Sequence, residues 1–338
     1  MEEKIRPIHF TATDGDPWEL HQPAFLVGNG INYADKCKFS WEDLLINVLT
    51  GESYSPQNKQ DKKKRKALIK TLKGLTYPEI AELALSKNSP EEFDKNSKSD
   101  FMKKVTEEIK NCIENSSQSN FRHEKLVEFA QKHSIPILTT NFDRNFLKTF
   151  CKKDLDSVNM HWVKSDLFTR NNYKTLRNAY FSPESFSENS DIHSEFALWH
   201  IHGVVSQPKS VCFTNWDYGN YYSEIKRISK LRNKTERKGN STWVDILLDN
   251  DLIIMGLALD SFETDLRALL VERHIQQKIN AGIAKENGIY REPKTIYIYR
   301  KKAEISEMPN GKRELFESLG IKCVSMAQND IYGLKYLK

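Results

Sequence analysis

The chain has 338 residues, 38% of them apolar and 11% aromatic, with only 14 Gly and 11 Pro. That length can bury the core of one large or two ordinary domains, and the composition excludes collagen-like, mucin-like and wholly disordered chains. Lys and Arg number 51 against 46 Asp and Glu, a net charge of +5 that is too mild to create a strong field toward polyanions.

The N-terminus, Met1 to Pro7, carries mixed charge and leads into no apolar h-region, so no secretory leader is expected. Ala24 to Gly28 reads as the first buried strand and Trp41 to Leu49 as a helix with apolar residues three and four apart. From about Gly51 to Ser119 no strand pattern occurs, and helical patterns lie near Lys62 to Leu72, Pro78 to Leu85 and Phe101 to Ile113. A helix is expected over Phe121 to Lys132, a strand over Ile135 to Thr140 and a helix over Asp143 to Phe150. Lys152 to Ser194 is a long polar excursion with few periodic apolar positions. Beyond it come a strand over Leu198 to Val205, a helix over Thr242 to Asp249, a strand over Leu252 to Gly256 and a helix over Phe262 to Gln277. Thr295 to Tyr299 and Lys322 to Ser325 read as the last strands. Such alternation predicts an α/β fold, a Rossmann-like parallel sheet flanked by helices with a helical insertion. Residues 1–50 form its first part, 51–120 the insertion and 121–338 the remainder, including the polar excursion at 152–194.

The longest apolar runs, such as Leu252 to Leu259, fall far short of the roughly 18 to 20 residues of a membrane span, and a cytoplasmic protein is expected. Five cysteines (Cys37, Cys112, Cys151, Cys212, Cys323) form no C-x-x-C pair, so they read as free, partly buried thiols and no metal is expected. Basic residues cluster at Lys59 to Lys66 and Lys226 to Lys238. The first cluster falls on a helical pattern whose charged residues suit a solvated face, and nucleic acid is not an expected ligand.

Four motifs end strands where an α/β sheet binds its ligands. Gly28-Asn29-Gly30-Ile31-Asn32 follows the first strand, where glycines let backbone N–H groups approach a phosphate; the sixth position of G-x-G-x-x-G is Tyr33, and a tight strand-to-loop turn is an equal reading. Ser40 is the expected N-cap of the helix that follows, with Asp43 at the capping-box position. Thr139-Thr140-Asn141-Phe142-Asp143 releases polar side chains at the end of the second strand, either for a ligand or to cap the next helix. In Trp199-His200-Ile201-His202-Gly203, strand alternation would put both histidines on one face, and Gly203 permits a turn that leaves His202 at the strand end. A zinc site there would need further ligands that the sequence does not pair with them. Last, Met255-Gly256-Leu257-Ala258-Leu259-Asp260 ends a strand in Gly before Ser261, Glu263 and Asp265 open a long amphipathic helix.

In this order, the four motifs resemble the sirtuin-like superfamily of bacterial NAD-consuming proteins over about Phe25 to Leu45, Ile135 to Phe150 and Leu198 to Leu270. The four-cysteine zinc module of deacetylating sirtuins is absent, and Cys37 to Trp41 is the only counterpart of their Pro-Asp-Phe-Arg segment. The resemblance is to the zinc-free branch, effectors of anti-phage defence that hydrolyse NAD and starve the infected cell in abortive infection. It implies an NAD glycohydrolase releasing nicotinamide and ADP-ribose, with NAD as substrate. The alternatives are a zinc-free deacylase or ADP-ribosyltransferase, or a nucleotide-sensing subunit without activity.

The resemblance implies that Gly28, Asn29, Gly30, Asn32, Thr140, Gly256, Leu257 and Asp260 bind NAD. It makes Asn141 the residue that orients water or ribose, His202 the proton acceptor and Asp143 a group that positions nicotinamide or offsets positive charge. Nicotinamide is already a good leaving group, so this chemistry needs positioning and charge stabilisation more than a metal. The implied partner in a hetero-oligomer is a separate protein, either a hexameric helicase-type ATPase or an inosine-triphosphate-pyrophosphatase-like protein.

Overall fold

A computed structural model describes residues 7–11, 17–35, 41–50, 59–88, 95–111, 121–151, 179–181, 196–207, 210–231, 242–260, 263–287, 290–301 and 308–338. Its centre is the strand β3 (Pro23–Val27), preceded by a small antiparallel pair, β1 (Ile8–Phe10) and β2 (Trp18–Leu20). All five residues of β3 are buried, because an uninterrupted apolar run suits a parallel strand covered on both faces. β4 (Ile137–Thr139) pairs with one edge of β3 and β7 (Asp251–Met255) with the other, both parallel. β6 (Leu198–His200) extends the sheet beyond β4, while β8 (Thr295–Arg300) and β9 (Ile321–Met326) extend it beyond β7.

The six parallel strands therefore run β6-β4-β3-β7-β8-β9, the Rossmann order that grows outward from β3 in both directions. A short strand inside the polar excursion, β5 (Ala179–Phe181), adds an antiparallel edge to β6. The remainder of 152–194, apart from β5, lies outside the described residues. The switch of direction puts a crevice beyond the carboxyl ends of β3, β4 and β7, where the four motifs lie.

Period-two side chains divide the core into two layers. Phe25, Val27, Ile137, Ile253 and Met255 pack on one face with α1 (Gly30–Ala34), α6 (Phe121–Lys132) and α7 (Asn145–Cys151). Ala24, Leu26, Leu138, Trp199, Leu252 and Ile254 pack on the other with α8 (Asn215–Leu231), α9 (Trp243–Asp249) and α10 (Thr264–Asn287). Thr242 and Asp245 close a reciprocal capping box at the start of α9. Buried Arg273 on α10 donates to the carbonyls of Leu247, Leu248 and Asn250, satisfying acceptors at the end of α9. α11 (Asn310–Ser318) and α12 (Gln328–Ile331) complete the chain.

A third apolar cluster joins α2 (Trp41–Thr50), α3 (Lys59–Thr71), α4 (Tyr77–Asn88) and α5 (Lys95–Ile109). Leu44, Leu45, Val48, Ala81, Phe101 and Val105 fill it, and Phe142, Val205 and Phe213 tie it to the loops after β4 and β6. The helical layer is thus docked over the carboxyl end of the sheet.

Two expectations change. The expected strand Leu198 to Val205 stops at His200, because the Gly203 N–H donates to the His200 carbonyl and closes a turn. The alternation that would align His200 with His202 therefore ends before His202. α8 was not expected from the sequence; its buried tyrosine and isoleucine positions, Tyr221 and Ile225, are spaced four apart within a polar stretch. Ser40, Cys37 and Cys112 lie outside the described residues, as does the second basic cluster beyond Leu231. Cys212 is buried and Cys323 half-buried, and neither forms a disulfide among the described residues.

Candidate active site

The loops after β3 and β7 meet backbone to backbone. A Cβ on Gly28 would lie 2.5 Å from the Gly256 carbonyl oxygen, and one on Gly30 would lie 2.6 Å from the Gly256 Cα. Gly256 itself has φ +63°, and a Cβ there would sit 2.4 Å from the Tyr332 hydroxyl. The N–H of Gly28 donates to Met255 and that of Gly30 to Gly256. Glycine is required here for close packing: those two amides join neighbouring loops, and the missing Cβ atoms let the loops touch.

Behind this junction is a buried polar network. Asn32 on α1 donates to Asp143 Oδ2 at 2.7 Å and to Asn29 Oδ1 at 2.8 Å, while Asn145 donates through its side chain to Asn32 Oδ1 at 2.9 Å. Asp143 Oδ1 also accepts the backbone N–H of Asn145, the first residue of α7, at 2.9 Å. Asp143 thus has both oxygens engaged in bracing α1 against α7, and it caps that helix. Asn145 had no sequence signal beyond its place two residues after the Thr-Thr-Asn-Phe-Asp strand end.

Asn141 is buried beside this network, its backbone N–H received by Thr139 Oγ1 and its Nδ2 placed 3.4 Å from the Gly28 carbonyl. Its Oδ1 has no hydrogen-bond partner among the described residues. A buried acceptor left unpaired costs about 1–3 kcal/mol, which a ligand hydroxyl or water would recover.

The two histidines have separate tasks. His200 Nδ1 lies 2.9 Å from the Asn141 carbonyl, so it holds the Asn141 loop from below. His202, past the turn, places Nε2 2.8 Å from Asp265 Oδ2 near the start of α10 and Nδ1 3.5 Å from the Tyr218 hydroxyl on α8. A carboxylate on Nε2 selects the tautomer with the proton there and leaves Nδ1 as the acceptor. The backbone around His202 is pinned by Cys212, whose N–H donates to the His202 carbonyl, and by the Tyr221 hydroxyl on the Ile201 carbonyl. Asp265 belongs to a stretch singled out in the sequence, but nothing there pairs it with His202; Tyr218 carried no signal at all.

Burial holds the His200 imidazole down to about 4, against the opposing pull of the Asn141 carbonyl and of Asp143. An unfolded histidine protonates near 6.5, so the stability His200 contributes is intact above that pH and is lost as the pH falls through about 4. Urea midpoints measured from pH 7 down to pH 4 should therefore fall more steeply for the wild type than for His200→Gln, whose amide still donates to Asn141. Equal slopes would show that His200 is not held neutral.

Two cavities flank these residues. One of about 540 Å³ is lined by Gly30, Gly256 and Leu257 together with Tyr297, Tyr299, Tyr332 and Lys312, aromatic faces and a cation suited to a nucleotide. Asp260 stands outside that lining, 3.0 Å from Lys312 Nζ. The other cavity, about 70 Å³, is lined by His202, Thr140, Tyr218 and Glu263 and closed by Leu45, Tyr77 and Phe142. Burial pushes the Glu263 carboxyl up to about 7, although the Asp260 N–H and His202 pull it down.

Residues 136–322, more than half of the chain, match the SIR2-like domain family. The chain belongs to that family. No curated protein matches it. A SIR2-like domain points to NAD-related enzymatic chemistry, and its matched span begins at Pro136, at the entry to β4, and includes β6 and β7. The Gly28 to Asn32 loop lies ahead of the match, and β3, set between β4 and β7, brings it against the matched span. Among the described residues, no group of three or more His, Cys, Asp or Glu is placed to hold a metal, and no helix is long and apolar enough to cross a membrane.

Proposed function

We propose that this SIR2-like chain is an NAD glycohydrolase that releases nicotinamide and ADP-ribose. The observation that carries the reading is His202, oriented by Asp265 at the carboxyl edge of the sheet, one strand away from Asn141 with its unpaired Oδ1. The 540 Å³ cavity beside Gly30 and Gly256 takes the adenosine side, with a base against Tyr297 or Tyr332 and Lys312 within reach of phosphate. Nicotinamide ribose extends toward Asn141 and His202. Asn141 Oδ1 accepts from a ribose hydroxyl or water, and His202 Nδ1 accepts the proton of the ribose hydroxyl, stabilising the positive charge that develops as the C1′–N bond opens. Asp143, its oxygens engaged by Asn32 and Asn145, serves by holding the loop and by its negative charge.

In the cell we assign this activity to anti-phage defence, the chain alone hydrolysing NAD slowly and a separate partner protein raising the rate. Incubating the purified chain with NAD tests the chemistry. Free ADP-ribose and nicotinamide in equal amounts support it, whereas ADP-ribosylated protein or binding without turnover would replace it with a transferase or a sensor.

A further inference from the structure

The small cavity next to His202 contains an acidic group that the reading above leaves unused. Its lining brings Glu263, at the entry to α10, together with Thr140 after β4, His202 after β6 and Tyr218 on α8, and its 70 Å³ has room for a few waters. Asp265 is fully buried with Oδ2 on His202, its Oδ1 has no hydrogen-bond partner among the described residues, and it does not line this cavity. His202 holds Nε2 on Asp265 and, in the reading above, offers Nδ1 to the ribose. Among the described residues, Glu263 Oε2 accepts the Asp260 N–H alone, at 3.0 Å, in a reciprocal turn completed by the Glu263 N–H on the Asp260 carbonyl.

We propose that Glu263 is the group that takes the proton from the water attacking C1′, with His202 reserved for the ribose hydroxyl. This assignment rests on the NAD glycohydrolase reading. In the step, the water oxygen forms its bond to C1′ as the C1′–N bond breaks. The electron pair of that bond goes to the pyridine nitrogen, nicotinamide leaves neutral, and the water proton passes to the Glu263 carboxylate and then to solvent. Products and charge balance as ADP-ribose, nicotinamide and one proton. The titration of Glu263 near 7 suits the role, because a base poised near the working pH is present as carboxylate yet still attracts a proton. Among the described residues, Asp260, Asp265, His202, Tyr218 and Tyr297 act on it electrostatically, and Tyr77 and Cys212 share its cavity. Tyr218 and Tyr297 are both held as neutral hydroxyls by burial, so their protons do not compete in this range.

The test compares kcat and KM for NAD across pH 5.5 to 8.5 in the full chain, in Glu263→Gln, which keeps an acceptor for the Asp260 N–H, and in Glu263→Ala with and without added formate. Thermal melts confirm that each variant is folded. The wild-type kcat should rise through about pH 7. Glu263→Gln should lose at least about 100-fold in kcat with KM changed by no more than about threefold, and its profile should be flat through that range. Formate, a small carboxylate able to enter the space left in Glu263→Ala, should restore turnover by about tenfold or more, which a merely structural role would not produce. A folded Glu263→Gln at wild-type kcat with the wild-type pH profile overturns the inference while the glycohydrolase reading stands. No nicotinamide release by the wild type overturns both.

Discussion

Replacing His202 with alanine is expected to lower NAD cleavage by at least about 100-fold, the usual share of a positioned proton acceptor. The imidazole is fixed from both sides, by Asp265 at 2.8 Å and by the Tyr218 hydroxyl at 3.5 Å, so its loss removes a group whose geometry has already been set before substrate arrives. Asn141→Ala should behave similarly, because it deletes the unpaired Oδ1 and leaves the surrounding backbone bonds intact. His200→Ala should cost less, since that ring acts through the Asn141 carbonyl and not on substrate. Rates of ADP-ribose release by the three folded variants decide the order. Equal losses in His200→Ala and His202→Ala would point to a shared two-histidine site, and near-native activity in His202→Ala would refute its role.

Gly203→Ala should be among the most damaging single methyl additions in the chain. Gly203 has φ +91°, and a Cβ there would stand 2.3 Å from the Ser210 carbonyl oxygen and 2.7 Å from the Val211 Cα. Neither contact involves a flexible side chain, so relief requires the backbone of 200–213 to move. Positive φ costs an alanine about 1–2 kcal/mol, and overpacking against a fixed backbone adds about 1–3 kcal/mol. The turn carries His202 and receives the Cys212 N–H on the His202 carbonyl, so the displacement reaches the imidazole directly. A folded fraction should show a destabilisation of about 3 kcal/mol in urea together with a loss of NAD turnover. Gly219→Ala, on an open face of α8, provides the control: its Cβ meets nothing within 4 Å, and stability should be unchanged or slightly raised.

The sheet was legible in the sequence because parallel strands buried on both faces must be short continuous apolar runs. Ala24 to Gly28, Leu252 to Gly256 and Thr295 to Tyr299 therefore stood out from the charged helices around them, and their observed spans differ by a residue or so at each end. The helices of the 59–109 stretch were visible for the complementary reason, a three- and four-residue apolar spacing in a polar background. Strand ends carry the glycine, asparagine and histidine motifs because side chains there are released from the ladder, which is why the sequence alone marks Asn141 and His202 as candidates.

Where His202 points was decided by tertiary structure. Its Asp265 partner is 63 residues away and its Tyr218 neighbour 16, distances over which no local spacing rule operates. Alternation predicted a common face for His200 and His202, but the strand stopped when the Gly203 turn and the Ser210 backbone packed together, and the two rings parted. The reason for glycine at 28, 30 and 256 was hidden in the same way: a strand-to-loop glycine looks identical in sequence whether a phosphate or another loop lies against it. Local propensity and apolar periodicity set which segments become strands and helices, while the meeting of groups from β3, β4, β6 and α10 depends on the order in which the strands lie, a property of packing that residue spacing does not encode.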